Sequence, residues 1–562
     1  MALGRARIGQ GFQDPRDILG DRLREGSLHR LLADHGQAMF GDGYFADLYT
    51  GSAKGQPTVP ARVVATVMVL QAFEGLSDRE ACDRLEADLR WQAAAGVDAG
   101  YRAFHPTLLV GMRSKLRASG RPRRLFEDTK VAARESGAMK GRARVLDSTA
   151  VYDAVATQDT VTQLRSAIRK VLAALDKAGG SLAARVRAVL RRDDDYAGPG
   201  KPPCDWDAPA AREALVDELV KDALAALSVL DGQPLAAAAG EAAALLALVA
   251  GQDVEQGQDG VFRIARKTAP DRVISTVDTQ ARHGHKSRNR RFDGYKAHLS
   301  VDPDSELIDE VAATAANTPD RDAAGELPGE LSAGAGKPDV LGDSAYGDAA
   351  TRAGLEEQGF TVIAKCPPAR NTAGRFAKDR FDVDLDRGTV TCPAGQTAVI
   401  TASPRGGGTA PFRPWCATCP LRSACTAARR GRTIAIHPLE DVLQRARQEQ
   451  KEPAWQERYR AERPIVERKI SHFTRRAWGG RKARTRGLAR ISTDLYARAG
   501  AINWARLAVL GARHDGTSWA IQRARTRHPP GAGTTRPAST PSHATPRRPG
   551  GRPAAPAGPP HR

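Results

Sequence analysis

The chain has 562 residues and carries 85 Lys and Arg against 65 Asp and Glu, a formal charge of +20, with a pI near 9.9. The length supplies several domains and a large core, and the cationic excess favours a polyanionic partner, because each phosphate neutralised by Lys or Arg releases a counterion. Met1 to Arg22 lacks the apolar stretch of a secretory signal, and the most apolar run, Leu235 to Ala250, is short and broken by Glu241, which sets aside a membrane span.

Residues 1–125 are expected to form a helical N-terminal domain. Pro60 opens a helix that runs to a stop at Gly75. Ser77-Asp-Arg-Glu80 fits a capping box that starts a second helix through Leu85 and Leu89. Two helices on so short a turn suit a helix-turn-helix that sets one helix in a major groove; an ordinary helical hairpin has the same spacing. From 140 to 510 the pattern is a mixed sheet flanked by helices. Ala143 to Val151 is a short strand bearing Asp147. Residues 160 to 252 return to helix, broken by a loop from Asp193 to Pro209, and read as a helical insertion over 155–260. Tyr295 to Val301 and Leu307 to Ala312 form a hairpin about Asp302-Pro-Asp-Ser305. Asp339 to Ser344 carries Asp343, and a helix from Asp348 to Gln358 and a strand from Phe360 to Lys365 come after it. Residues 366–437 are turn-rich and hold a cysteine cluster, and helices resume near Pro438. Residues 523–562 are rich in Pro and Arg and lack acids, the composition of a disordered basic tail.

A carboxylate within an apolar strand is costly unless a cation compensates it. Asp147 in Val-Leu-Asp-Ser-Thr and Asp343 in Val-Leu-Gly-Asp-Ser both sit where apolar residues give way to small polar ones, as at a strand end that presents a carboxylate into a crevice. Either one alone equally suits a turn or cap. Glu467 lies one helical turn after Arg463, and Ile465, Val466, Ile470 and Phe473 beside it can pack on the sheet. Between Arg458 and Arg490 the only acids are Glu462 and Glu467. By periodicity Glu467 is a surface ion-pair partner; metal ligation is the alternative. Divalent-metal phosphoryl transfer needs a few carboxylates converging on two ions, and hard magnesium takes two or three of them.

These segments resemble the DDE transposases of bacterial insertion sequences. Val145-Leu-Asp-Ser-Thr-Ala150 is similar to that family's first-aspartate strand. Arg282-His-Gly-His-Lys-Ser287 with Phe292-Asp-Gly-Tyr-Lys-Ala-His298 resembles its basic loop leading into the second strand. Thr314-Ala-Ala-Asn-Thr-Pro-Asp320 and Gly342-Asp-Ser-Ala-Tyr-Gly347 resemble the segments around its second aspartate. Arg463-x3-Glu467 resembles its glutamate helix, and Arg484-Thr-Arg-Gly-Leu488 and Asn503-Trp-Ala-Arg-Leu507 resemble the segments C-terminal to that helix. The resemblance spans most of residues 30 to 510. It implies an α/β, RNase H-like catalytic domain in which Asp147, Asp343 and Glu467 ligate two Mg²⁺ or Mn²⁺ ions. Water would cleave a phosphodiester at the transposon end, and the freed 3′-hydroxyl would attack target DNA. Arg463, Lys469, Arg475, Lys286, Arg288, Arg290, Lys296 and His298 become candidate DNA contacts. Many relatives show Tyr-x2-Arg-x3-Glu-x6-Lys. Here Tyr459 stands one place early and Thr474 occupies the Lys position, which leaves the phosphate-facing cation to Lys469 or Arg475.

Four of the seven cysteines, Cys392, Cys416, Cys419 and Cys425, cluster together. Cys416-x2-Cys419 has zinc-knuckle spacing, whereas Cys419-x5-Cys425 is looser. A zinc-ribbon-like insertion and a set of reduced, metal-free thiols both fit. Cys82, Cys204 and Cys366 are isolated thiols. The expected setting is a reducing bacterial cytoplasm, at the nucleoid, with a homodimer bound to double-stranded DNA of the transposon ends and target. The competing readings are a zinc-ribbon DNA-binding regulator without catalysis, an RNase H-like nuclease that cleaves without joining, and an inactive copy.

Overall fold

The computed structural model describes residues 14–49, 58–192, 196–287, 289–329, 337–369, 374–475 and 480–522. The tail expected at 523–562 and Arg288 lie outside them. The chain opens with helices α1 (Pro15–Leu19), α2 (Leu28–Met39), α3 (Ala61–Glu74), α4 (Asp78–Ala87), α5 (Leu89–Ala95), α6 (Thr107–Ala118) and α7 (Arg124–Glu135). Gly75 ends α3 in the left-handed region at φ 72°, a conformation that glycine adopts without a Cβ clash. The capping box forms: the Glu80 N–H donates to Ser77 Oγ at 3.2 Å, and the Ser77 N–H donates to Glu80 Oε2 at 2.7 Å. The second helix is shorter than expected. Asp88 leaves helical geometry and its carboxylate caps α5, so Leu89 begins a new helix.

Strand β1 (Ala143–Tyr152) starts the sheet. Helices α8 (Thr160–Ala178), α9 (Leu182–Arg187), α10 (Pro209–Leu230) and α11 (Ala237–Gln252) then pack around a core of their own, with Leu164, Ile168, Leu219 and Leu246 fully enclosed. This segment is pinched at its base. The Gln158 N–H donates to Ile274 O at 2.9 Å, and Gln163 and Gln252 bracket Val273. The small hairpin β2 (Val254–Gln256) and β3 (Phe262–Ile264) leads on to β4 (Arg282–Ser287), β5 (Arg290–Val301) and β6 (Ile308–Ala315). Next come β7 (Asp339–Gly342), α12 (Ala349–Glu357) and β8 (Thr361–Ala364). The segment likened to a basic loop is thus a strand: β4 pairs antiparallel with the first part of β5, with Lys286 exposed and Arg282 held by Asp271 at 2.8 Å.

The sheet runs β4–β5–β1–β7–β8, with β6 on β5. β1 is antiparallel to β5 and parallel to β7. Both faces are covered, as a sheet with parallel strands requires. Val145, Ala297, Leu299 and Val301 pack against Val466, Ile470, Ile491 and Leu495. Leu146, Val340 and Val362 pack on the opposite face against Leu355 and Tyr346. Each such enclosed aliphatic side chain contributes about 1.5–3 kcal/mol.

Residues 366–437 contain more strand than their turn-rich sequence suggests. Strands β9 (Asp382–Asp384), β10 (Thr389–Thr391) and β11 (Thr397–Val399) make one three-stranded sheet. A second comprises β12 (Thr401–Ala402), β13 (Gly408–Pro411) and, after the short helices α13 (Arg413–Cys416) and α14 (Arg422–Cys425), β14 (Thr433–Ile436). Helices α15 (Glu440–Glu449), α16 (Pro453–Glu462), α17 (Pro464–Phe473) and α18 (Leu488–Leu510) return to the main sheet, and the hairpin β15 (Ala512–His514) and β16 (Trp519–Ile521) closes the described chain. Trp504, Leu507 and Trp519 share one core with the N-terminal helices. Among the described residues, no helix is long and apolar enough to cross a membrane.

Candidate active site

Strand register builds the site. Val145 of β1 pairs with Leu341 of β7 in parallel. Two residues further along each chain, Asp147 and Asp343 therefore stand level and on the same face. β7 ends at Gly342, while β1 runs on beside β5 to Tyr152. Asp147 is accordingly mid-strand, not at a strand end as the sequence suggested. The crevice opens because β7 stops, not because β1 does. The turn after β7 is tight: a Cβ on Gly347 would sit 1.9 Å from Lys365 O, and one on Gly342 would sit 2.9 Å from the Tyr346 ring. No side chain fits at either position. Asp343 Oδ1 accepts the Ala345 N–H at 2.8 Å, which fixes the carboxylate in the turn.

The third element is the junction of α16 and α17. Pro464 at the first turn of α17 lets Arg463 sit at the helix start. From there Arg463 Nη2 donates to Asp147 Oδ2 at 2.9 Å, and Nη1 lies 3.5 Å from Glu467 Oε1. Glu467 is thus an ion-pair partner on the first turn of α17, with its side chain 64% exposed. Among the described residues no group of three or more His, Cys, Asp or Glu side chains stands in metal-holding geometry. Asp147 Oδ1 accepts the Ser148 N–H at 2.7 Å. Burial pushes the Asp147 carboxyl above the ordinary range, Arg463 opposes this, and the Asp343 charge adds to it. Burial works to lower the Arg463 pKa, but Asp147 and Asp343 leave it raised overall. Arg463 is nearly enclosed, and its Nε and Nη1 find no hydrogen-bond partner among the described residues. The buried Tyr346 hydroxyl is also unpartnered. Its pKa is driven well above the usual value by burial and then by Asp320, Asp147 and Asp343.

The opposite face of the same strands carries a second polar cluster, in which two of the expected DNA contacts, Lys296 and His298, stand with Ser148 and Asp320. Ser148 Oγ donates to Asp320 Oδ2 at 2.9 Å, and Lys296 Nζ lies 2.8 Å from Asp320 Oδ1. His298, level with Ser148, is 0% exposed. Its Nε2 pairs with Thr314 Oγ1 at 2.8 Å, and burial depresses it to about 4. The motif ending in Asp320 was the available signal, but no spacing rule ties it to Ser148.

The expected DNA cations divide by exposure. Lys286, Arg290 and Arg475 are exposed. Arg463 and Lys296 are paired with Asp147 and Asp320. His298 has no surface to offer. Lys469 is 3% exposed and lies 3.1 Å from Glu306, so it faces inward. Thr474 donates to Ile470 O at 2.7 Å, closing α17 where relatives carry the Lys. Tyr459 stacks on Trp455 with ring centroids 5.0 Å apart, and burial raises its pKa beside Arg463, Asp343 and Glu467.

Cys392, Cys416, Cys419 and Cys425 line one small pocket with Phe381, Phe412 and Trp415. Burial raises the Cys425 thiol, with the other three thiols acting on it. Helix α14 fills the looser Cys419-x5-Cys425 spacing.

Two family models match the chain. One, described as Transposase domain (DUF772), covers residues 19–115; the other, described as Transposase DDE domain, covers residues 391–508. No curated protein and no solved structure matches. Both models are of transposase domains, and the DDE match implies an RNase H-like fold and an enzyme of the transposase or nuclease class. Together the two matches indicate an insertion-sequence DDE transposase. The DDE match takes in Glu467 and the four clustered cysteines and leaves β1 and β7 outside.

Proposed function

We propose that this transposase binds the terminal inverted repeats of its element, hydrolyses the phosphodiester at each end and joins the freed 3′-hydroxyl to target DNA, with Asp147, Asp343 and Glu467 as its acidic set. The observation that carries the reading is the β1–β7 register, which sets Asp147 and Asp343 level beneath the helix that bears Arg463 and Glu467. Two neighbouring carboxylates on a buried face repel unless a cation compensates them, and carboxylate oxygens are the hard donors that Mg²⁺ or Mn²⁺ takes. The donor chemistry therefore suits divalent ions, which Asp147, Asp343 and Glu467 would hold once Glu467 turns from Arg463. Bound there, such ions would supply Lewis acidity toward the phosphodiester and lower the pKa of water.

The chain's own groups do the rest. Arg463 keeps Asp147 oriented, and its Nε donor, which makes no hydrogen bond among the described residues, is available to a phosphate oxygen. Tyr346, held protonated by burial, keeps a neutral O–H within electrostatic reach of Asp320, Asp147 and Asp343. Lys286, Arg290 and Arg475 supply exposed charge for the DNA backbone. The cysteine set is suited to structural zinc by its donor chemistry, though its thiols do not stand in metal-holding geometry. Its thiols are soft donors, and the Arg432 N–H points at Cys416 Sγ at 3.4 Å, the kind of outer contact that steadies a thiolate ligand. A homodimer would bring the two ends together.

The test is metal-dependent cleavage and joining on DNA carrying the element's ends. Asp147→Asn and Glu467→Gln should bind like wild type while both steps fall on the order of a thousandfold. A wild type that cleaves and never joins is an RNase H-like nuclease. One that binds its ends without chemistry in Mg²⁺ or Mn²⁺ overturns the reading in favour of the regulator.

A further inference from the structure

The α3–α4 pair does not carry its cations where a groove-reading helix needs them. α4 exposes Glu80, Asp83 and Glu86 beside Arg79 and Arg84, so its outer face is net acidic and repels phosphates. The arginines at this end of the molecule converge elsewhere. A cleft of about 340 Å³ lies between the Ser77–Asp78 turn, α6 and the start of α18, and Arg113, Arg117, Arg123, Arg484 and Arg490 line it. Its two acids are committed, Asp78 to Arg113 at 2.5 Å and Asp494 to Arg498 at 2.7 Å. Glu310 satisfies Arg123 at 2.6 Å.

Arg117 and Arg490 come from helices far apart in sequence, and neither has a carboxylate within ion-pair reach among the described residues. Arg484 gives one donor to Gly75 O at 3.1 Å. On the same wall the Thr485 hydroxyl is buried without a partner. Burial lowers the Arg117 pKa, and the charges of Arg490 and Arg113 lower it further. Like charges gathered without counter-charges cost the fold stability. An entering anion reverses that cost, and arginine forks suit phosphate oxygens in particular.

We propose that this cleft binds the phosphodiester backbone of duplex DNA, holding the transposon end at a point separate from the acidic site. The proposal rests on the transposase reading. A free phosphate ion shares the same chemistry, so the experiment separates the two sources. With the full chain, binding of labelled duplexes is measured across a salt series, one duplex carrying the element's ends and one random. The proteins are wild type, R117Q/R490Q and the exposed single variant R490E, each checked by thermal melting.

Both variants should melt like wild type and bind both duplexes about tenfold more weakly. The double variant should lose roughly 2 from the slope of log affinity against log salt, one for each phosphate contact removed. If wild type binds DNA while R490E keeps the same affinity and slope, the cleft assignment is overturned and the transposase reading stands. If wild type binds neither duplex at low salt, both fall. If inorganic phosphate stabilises wild type but not R117Q/R490Q, while DNA affinity is equal in the two, the cleft is a small-anion site and the DNA assignment is overturned.

Discussion

Two buried arginines flank β1, and they are treated differently. Arg144, near the start of the strand, is 1% exposed, and all its donors are met. Nε donates to Asp309 Oδ2 at 2.8 Å, and Nη1 donates to Ala143 O at 2.8 Å and Asp302 Oδ2 at 3.2 Å. Nη2 approaches Met139 Sδ at 3.5 Å. Arg463, facing Asp147 halfway along the same strand, is 9% exposed and makes one short ion pair to Asp147 and a longer one from Nη1 to Glu467 at 3.5 Å, with Nε left without a hydrogen bond. A buried charge that is fully met holds a strand end to its hairpin; one left partly unmet in a crevice between carboxylates is poised for a ligand. The first is a scaffold contact; the second is the one that the proposed chemistry would use.

That contrast breaks if the two respond alike to substitution. Arg144→Met strands Asp302 and Asp309 as unpaired buried charges, and stability should fall by roughly 3–5 kcal/mol, seen as a large drop in melting midpoint. An unchanged midpoint would erase the distinction. Arg463→Gln should fold normally and lose about 10–100-fold in DNA cleavage, the usual cost of removing a group that orients a ligand. Arg463→Lys should recover little, because the fork geometry is gone. Melting as poor as that of Arg144→Met would make Arg463 part of the scaffold.

Acid sharpens the same point. Burial holds His298 at about 4, below the ordinary value near 6.5. Its neutral form belongs to the fold, so its contribution is full above about pH 6.5 and is lost as pH falls toward 4. Burial tends to raise Glu306, but Arg468 and Lys469 draw it down to about 2. Its contribution is present above the ordinary glutamate value near 4.3 and is lost between there and 2. Melting midpoints against pH should show both stages. His298→Gln should remove the upper stage and Glu306→Gln the lower; if either variant keeps its stage, that group is misassigned. The smallest effect is expected at an exposed cap, where Ser77→Ala should cost about 1 kcal/mol.

What could be read in the sequence was local. Gly75, Ser77 and Glu80 set a helix boundary through their own backbone bonds, and Asp302-Pro-Asp-Ser305 sets a hairpin through turn chemistry. The strand expected over Ala143–Val151 matches β1 to within one residue, but the likening of Asp147 to a strand end fails, because β1 runs on past it beside β5, whose residues lie far away in the chain. The basic segment 282–287 looked like a loop because an exposed strand and a polar loop share a composition. Which cations stay free for DNA was also hidden. Lys469 is claimed by Glu306, a residue at φ 59° in a hairpin turn, and Lys296 by Asp320. Neither pairing has a sequence signal. Arg463 matched the family's spacing, but its grip on Asp147 joins residues at opposite ends of the catalytic region and becomes visible only in three dimensions.

The pinched base of the α8–α11 segment bears on the order of assembly. β1 must find β5 across about 140 residues, and closing so long a loop is slow and entropically costly. Helices α8–α11 form on near-neighbour contacts, and once Gln158 meets Ile274 the remaining loop is only about 26 residues. By the logarithmic dependence of closure entropy on length, that recovers roughly 1.5 kcal/mol before the first sheet hydrogen bond forms. The segment thus acts as a splint: it delivers the strand that frames Asp147 to its partner and shortens the time that a bare β-edge spends exposed on a nascent chain.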